Sequence, residues 1–177
     1  MDRVLVAGIG NVLMGDDAIG PFCIRRLQAK YQFPAGVNVV DLGAPGLDLT
    51  VHVAGAEFLV FVDCLRSGRP GEVRVFLKHE ILSGHYSARL DTHAPALEAA
   101  IAIADLSGHA PRDVRLVGLA GEGFELGAPL SQTARMGMTR LEDAVLAELA
   151  GLGVTPTPRF EPEDAYIWWE RPSALLT

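Results

Sequence analysis

Cysteine is nearly missing from this sequence: only Cys23 and Cys64 occur in 177 residues. Two thiols cannot form a disulfide framework, and each lies in an apolar run. Both are therefore expected to be reduced, partly buried residues of a cytoplasmic protein. An excess of basic charge is lacking as well. The formal net charge is −7, which argues against nucleic acid as a partner, because its binders carry a basic face. No apolar run approaches the ~20 residues of a membrane span. The start "MDRVLVAGIGN" has no basic stretch ahead of an apolar one, so neither a membrane anchor nor a signal peptide is expected.

Familiar catalytic signatures are absent too. "GIGN" begins like a dinucleotide loop, but position 13 is leucine, so G-x-G-x-x-G is incomplete, and no Lys-Ser or Lys-Thr follows to make a Walker motif. There is no G-x-S-x-G, no H-E-x-x-H and no thiol-protease context around either cysteine. If this chain cuts bonds, it does so without a conventional nucleophile.

What is present is the composition of a globular protein. Hydrophobic residues make up 49% and charged residues 21%, enough for one well-buried core. The pattern predicts a single domain over residues 1–153 and an irregular, proline-rich tail over 154–177, which carries Trp168 and Trp169. "RVLVAG" (Arg3–Gly8), "VNVVDL" (Val37–Leu42), "FLVFVD" (Phe58–Asp63) and "DVRLVGLAG" read as buried strands. "EVRVFL" (Glu72–Leu77) alternates polar and apolar after the turn "SGRPG", as an edge strand does. Helical spacing appears in "PFCIRRLQAKY", in "HAPALEAAIAIADLSG" (His93–Gly108) and in "SQTARMGMTRLEDAVLAELAG", and more weakly in "GLDLTVHVAGA". The order βαβαββαβα predicts a three-layer α/β/α sandwich on a mostly parallel or mixed sheet.

In such sheets the site lies beyond the carboxyl ends of the strands. Asp17 follows the first strand, Asp63 ends "FLVFVD", and His93 opens the alanine-rich helix in "DTHAP". If their loops share a rim, two oxygens and one nitrogen converge, a donor set for nickel, zinc, manganese or cobalt with open positions. Each residue has a simpler reading. Asp16 or Asp17 could cap the helix near Pro21, Asp63 could be a paired rim acid, and His93 could be a surface residue behind a capping Thr92. His52, His79, His85 and His109 have no partner pattern and are expected at the surface. Gly8 and Gly10 are expected to turn the backbone so that Asn11 and the acids reach the rim.

With these residues assembled, the chain resembles the nickel–iron hydrogenase maturation endopeptidases. The likeness lies in "GIGNVLMGDDAIG", then "LVFVDCLRSGRPGEVRVF", the histidine of "THAPAL" and the late "GEGFELGAPLS", covering about Arg3 to Ala150. The first motif is the most specific of these.

The resemblance implies a cytoplasmic, aspartic-type endopeptidase that removes the C-terminal extension of a hydrogenase large-subunit precursor after nickel insertion. It implies nickel ligation by Asp17, Asp63 and His93, with the metal supplied by the client and zinc, cadmium or manganese able to stand in. Gly8, Gly10, Asn11 and Asp16 support the loop. A protein that docks on a folded client is expected to work as a monomer. Two rivals stand beside this reading: a nickel-binding delivery module without protease activity, and a small-molecule enzyme on the same scaffold.

Overall fold

Strand β1 (Val4–Ile9) is buried along its whole length and forms the second strand of a five-stranded sheet. The computed structural model describes residues 4–46, 48–84 and 94–170. β1 pairs in parallel with β3 (Val37–Gly43) on one side and with β4 (Phe58–Leu65) on the other. β4 pairs in parallel with β6 (Asp113–Ala120), and β5 (Val73–Leu77) closes the edge antiparallel to β6. The sheet order is β3-β1-β4-β6-β5, so "FLVFVD" is indeed the central strand and "EVRVFL" the edge.

Alternation along the strands divides the core into two layers. Val6, Val60, Val62 and Leu119 pack with Ile24 and Leu27 of α1 (Ile19–Lys30) and with Leu141 and Val145 of α5 (Gln132–Gly151). Leu5, Ala7, Leu59 and Phe61 pack with Val53 of α2 (Leu49–Ala54) and with Leu97 and Ile101 of α4 (Ala94–Leu106). Phe61 is completely buried, a contribution of about 1.5–3 kcal/mol from that side chain alone. The three-layer α/β/α sandwich with a mixed, mostly parallel sheet is thus the fold, and both cysteines lie fully inside it.

Several elements depart from the expected boundaries. α1 ends at Lys30, and Tyr31 passes into β2 (Tyr31–Gln32), which pairs with β7 (Thr157–Pro158) of the tail. A five-residue helix, α3 (Lys78–Leu82), follows β5. The tail is irregular over most of its length but pinned to the body. Arg159 and Glu163 donate their N–H groups to the carbonyls of Lys30 and Ala29 (2.8 and 2.9 Å). After a final 3₁₀ turn, Trp168–Glu170, the Glu170 carboxylate accepts the Leu130 N–H at 3.0 Å and pairs with Arg135.

The chain leaves β1 toward β3 and, by way of α2, returns across β1 to β4. Successive connections therefore diverge between the carboxyl ends of β1 and β4, the crevice where α/β sheets place their sites. The loop after β1 and the end of β4 both open there.

Candidate functional site

The first loop is shaped by close backbone approaches. A Cβ on Gly20 would stand 2.2 Å from the Ile9 carbonyl oxygen and 2.4 Å from that of Val62. Glycine at this position lets the start of α1 lie directly on β1 and β4. Gly10 has φ +146°, and a Cβ there would meet the Asp17 carbonyl oxygen at 1.9 Å. Gly8 is needed for the approach of α1 rather than for a turn, since its Cβ would fall 2.7 Å from the Gly20 oxygen. The Asn11 side chain accepts the Leu13 N–H at 3.0 Å and sets the turn. A 3₁₀ turn, Gly15–Ala18, then carries both aspartates into α1.

The residue at the N-cap of α1 is Ala18, whose side chain makes no capping hydrogen bond. The two carboxylates have separate partners. Asp16, fully buried, receives three backbone N–H groups: Glu122 at 2.9 Å, Gly123 at 3.1 Å and Ser131 at 2.7 Å. Its own N–H donates to the Gly123 carbonyl at 2.7 Å. Asp16 thus fastens the loop after β6 to the loop after β1.

Asp17 is 4% exposed, and its Oδ2 accepts the Asn11 N–H at 2.9 Å. The brace that Asn11 supplies is therefore its main chain, not its amide. Asp17 Oδ1 lies 3.5 Å from the Arg66 guanidinium, which stacks 4.0 Å above the ring of Phe124. Phe124 belongs to the same loop that Asp16 fastens.

Asp63 lies at 0% exposure near the carboxyl end of the central strand, opposite Gly118 of β6, and its Oδ1 accepts the Cys64 N–H at 2.7 Å. By strand alternation it shares the face of Leu59, Phe61 and Leu65. The structure thus brings Asp16 and Asp17, in the turn after β1, and Asp63, near the end of β4, to the crevice between these strands, with Arg66 beside Asp17. His93 lies outside the described residues, as does His85. His79 and His109 are exposed and His52 is half-buried on α2. Among the described residues no three His, Cys, Asp or Glu side chains gather closely enough to hold a metal. Asp17 and Asp63 are hard carboxylates, a donor type that fits a divalent ion bringing ligands of its own.

Sequence reasoning missed Arg66 and Phe124. An arginine three residues past a strand-end acid was the available signal for the first. Beside the same loop an open pocket of about 350 Å³ lies at the ends of β1 and β3, lined by Gly10, Asn11, Asp41 and Gly43 and walled by Trp168 and Trp169.

An α/β/α sandwich with an acid-lined rim at its switch point defines a class that is met among known peptidases. The hydrogenase maturating endopeptidase HybD from Escherichia coli superposes with a TM-score of 0.83 at 28% identity, covering 89% of this chain and 98% of that one. The [NiFe] hydrogenase maturation protease HybD from Thermococcus kodakarensis follows at TM-score 0.67 and 27% identity, covering 84% and 98%. In sequence the chain is 33% identical to the hydrogenase expression/formation protein HupM of Azotobacter chroococcum mcd 1, over 89% of this chain and 76% of that one. It is 29% identical to the hydrogenase 2 maturation protease of Escherichia coli K12, over 89% and 96%. The family model for hydrogenase maturation protease matches residues 21–148, which include Asp63 and begin just past the turn that carries Asp17. The chain belongs to the hydrogenase maturation protease family and is a hydrolase of the endopeptidase class.

Proposed function

We propose that this endopeptidase removes the C-terminal extension of a nickel–iron hydrogenase large-subunit precursor once nickel has been inserted, reading the client's nickel with Asp17, Asp63 and His93. The observation that carries this is the placement of two buried carboxylates, Asp17 and Asp63, at the crevice between β1 and β4. Burying carboxylates near one another is costly unless a cation shares the space. Support for His93 comes from topology. α4 begins at Ala94, the next residue, and its far end lies six residues before β6. At about 1.5 Å per residue the helix spans about 20 Å, so its start stands toward the carboxyl-end rim.

The client's nickel supplies positive charge at the rim; this chain's own residues do the rest. The Asn11 N–H fixes one oxygen of Asp17 and leaves the other facing Arg66. Asp63 is held by the Cys64 N–H at the end of a rigid central strand. It is the residue we assign to take the proton of the attacking water, with His93 orienting that water, an aspartic-type hydrolysis. The pocket beside the loop is a channel for the client's peptide. The protein acts as a cytoplasmic monomer, since a folded client needs the rim uncovered. Zinc, cadmium or manganese would fill the same donors in place of nickel.

The test is cleavage of a large-subunit precursor, nickel-loaded and nickel-free, followed by gel mobility with wild type, Asp17→Ala, Asp63→Asn and His93→Ala. Cleavage of the loaded form alone, lost in the variants, is the expected result. A His93→Ala enzyme that processed at the normal rate would overturn it. No cleavage of either form, together with tight nickel binding, would make this chain a delivery module instead.

A further inference from the structure

We propose that Arg66 is a specificity-determining residue whose guanidinium occupies the cation's place on Asp17 until the client's metal displaces it. The inference rests on the nickel-reading role proposed above and adds why free metal does not take the site.

Arg66 is unlike an arginine locked in place for stability. A structural Arg–carboxylate pair is usually a fork of two short hydrogen bonds. Here the nearest approach to Asp17 is 3.5 Å from a single nitrogen, too long for a strong hydrogen bond. The Nε is buried and has no hydrogen-bond partner among the described residues, an arrangement that proteins avoid. What holds the group is charge and the face of Phe124, 4.0 Å below it. The side chain is 23% exposed, so a route to solvent is open. A cation held by charge and a ring, with donors unspent, is retained only while nothing better occupies the carboxylate.

The surroundings explain why such a plug is useful. Asp17 and Asp63 put two buried carboxylates at one crevice, and Arg66 is a cation that reaches Asp17. Without it the rim would draw stray divalent ions from solution. With it, a free ion must compete with a guanidinium already in place. A metal fixed inside a docked client meets Asp17 at a high effective concentration and wins that competition. The protease then responds to metal presented by a protein in preference to metal in solution.

The test is titration calorimetry of the isolated full-length protein with nickel chloride alone. Arg66→Met is expected to bind Ni²⁺ at least tenfold tighter than wild type, a difference of about 1.4 kcal/mol. Arg66→Lys, which keeps the charge, stays within about threefold of wild type. Phe124→Leu removes the ring without touching the carboxylates, and it should also bind Ni²⁺ tighter; it covers the case in which Arg66→Met melts early. Adding Asp17→Ala to Arg66→Met should abolish the gain. If Asp17→Ala weakens nickel binding while Arg66→Met and Phe124→Leu leave it unchanged or weaker, the plug is refuted and the nickel-reading role survives. If Asp17→Ala has no effect either, both fall.

Discussion

Replacing Asp16 with alanine removes the acceptor of three backbone N–H groups at once, those of Glu122, Gly123 and Ser131. A hydrogen bond to a charged group contributes about 1.5–3 kcal/mol net. All three donors are part-buried, so water can recover some of the loss, and the lower figure applies to each. The expected cost is therefore about 4.5 kcal/mol, a large share of the 5–15 kcal/mol that holds a typical domain together. For a chain of this length that corresponds to a drop in Tm of about 9–18 °C. Asp17→Ala loses the Asn11 N–H bond and the loose ion pair with Arg66, which together contribute about 1–2 kcal/mol. Urea unfolding followed by far-UV circular dichroism measures both. The two adjacent acids thus differ in kind: one fastens loops and the other faces Arg66 at the rim. An Asp16→Ala variant within 1.5 kcal/mol of wild type, or one less destabilised than Asp17→Ala, would refute that division.

Gly20→Ala sets a methyl group 2.2–2.4 Å from two strand carbonyl oxygens that cannot yield. We expect a loss of more than 3 kcal/mol, or no folded protein, read from the same urea curves. Burial, and next to it the Glu142 carboxylate, push the Cys23 thiol far above its ordinary value of 9.0. It stays protonated in the fold and ionises only on unfolding. The sign follows: this group costs nothing below pH 9, and above it stability falls by about 1.4 kcal/mol per pH unit as the unfolded thiol loses its proton. A Cys23→Ala variant should lack that increment between pH 9 and 10. Neither cysteine should react with Ellman's reagent until the protein is denatured.

The strands could be read from the sequence because each carries its signal within itself. "FLVFVD" is apolar on both faces and "EVRVFL" alternates, which is what a central and an edge position require. The rim position of Asp17 and Asp63 followed from the same pattern. The separate duties of Asp16 and Asp17 did not, since adjacent identical residues differ only in what faces them, and the partners of Asp16 lie more than a hundred residues away. Arg66 was hidden for a similar reason: "LRSGRPG" reads as a solvated turn until Phe124 is brought beneath it. β2 and β7 hold two residues each and α3 five, too short for any period to show. The tail was legible as irregular, but its attachment through Glu170 to Leu130 and Arg135 is a long-range fact.

The Asp16 fastening also bears on how the protein comes into being. Its donors arrive 106, 107 and 115 residues after it. A nascent chain that has emerged only as far as β4 holds both rim aspartates but has no loop to clasp Asp16 and no Phe124 beneath Arg66. Such distant closures form late in folding. A prematurely ended or half-made polypeptide therefore carries the rim aspartates without their arrangement. Competence to cut a client is acquired only when nearly the whole chain has been made.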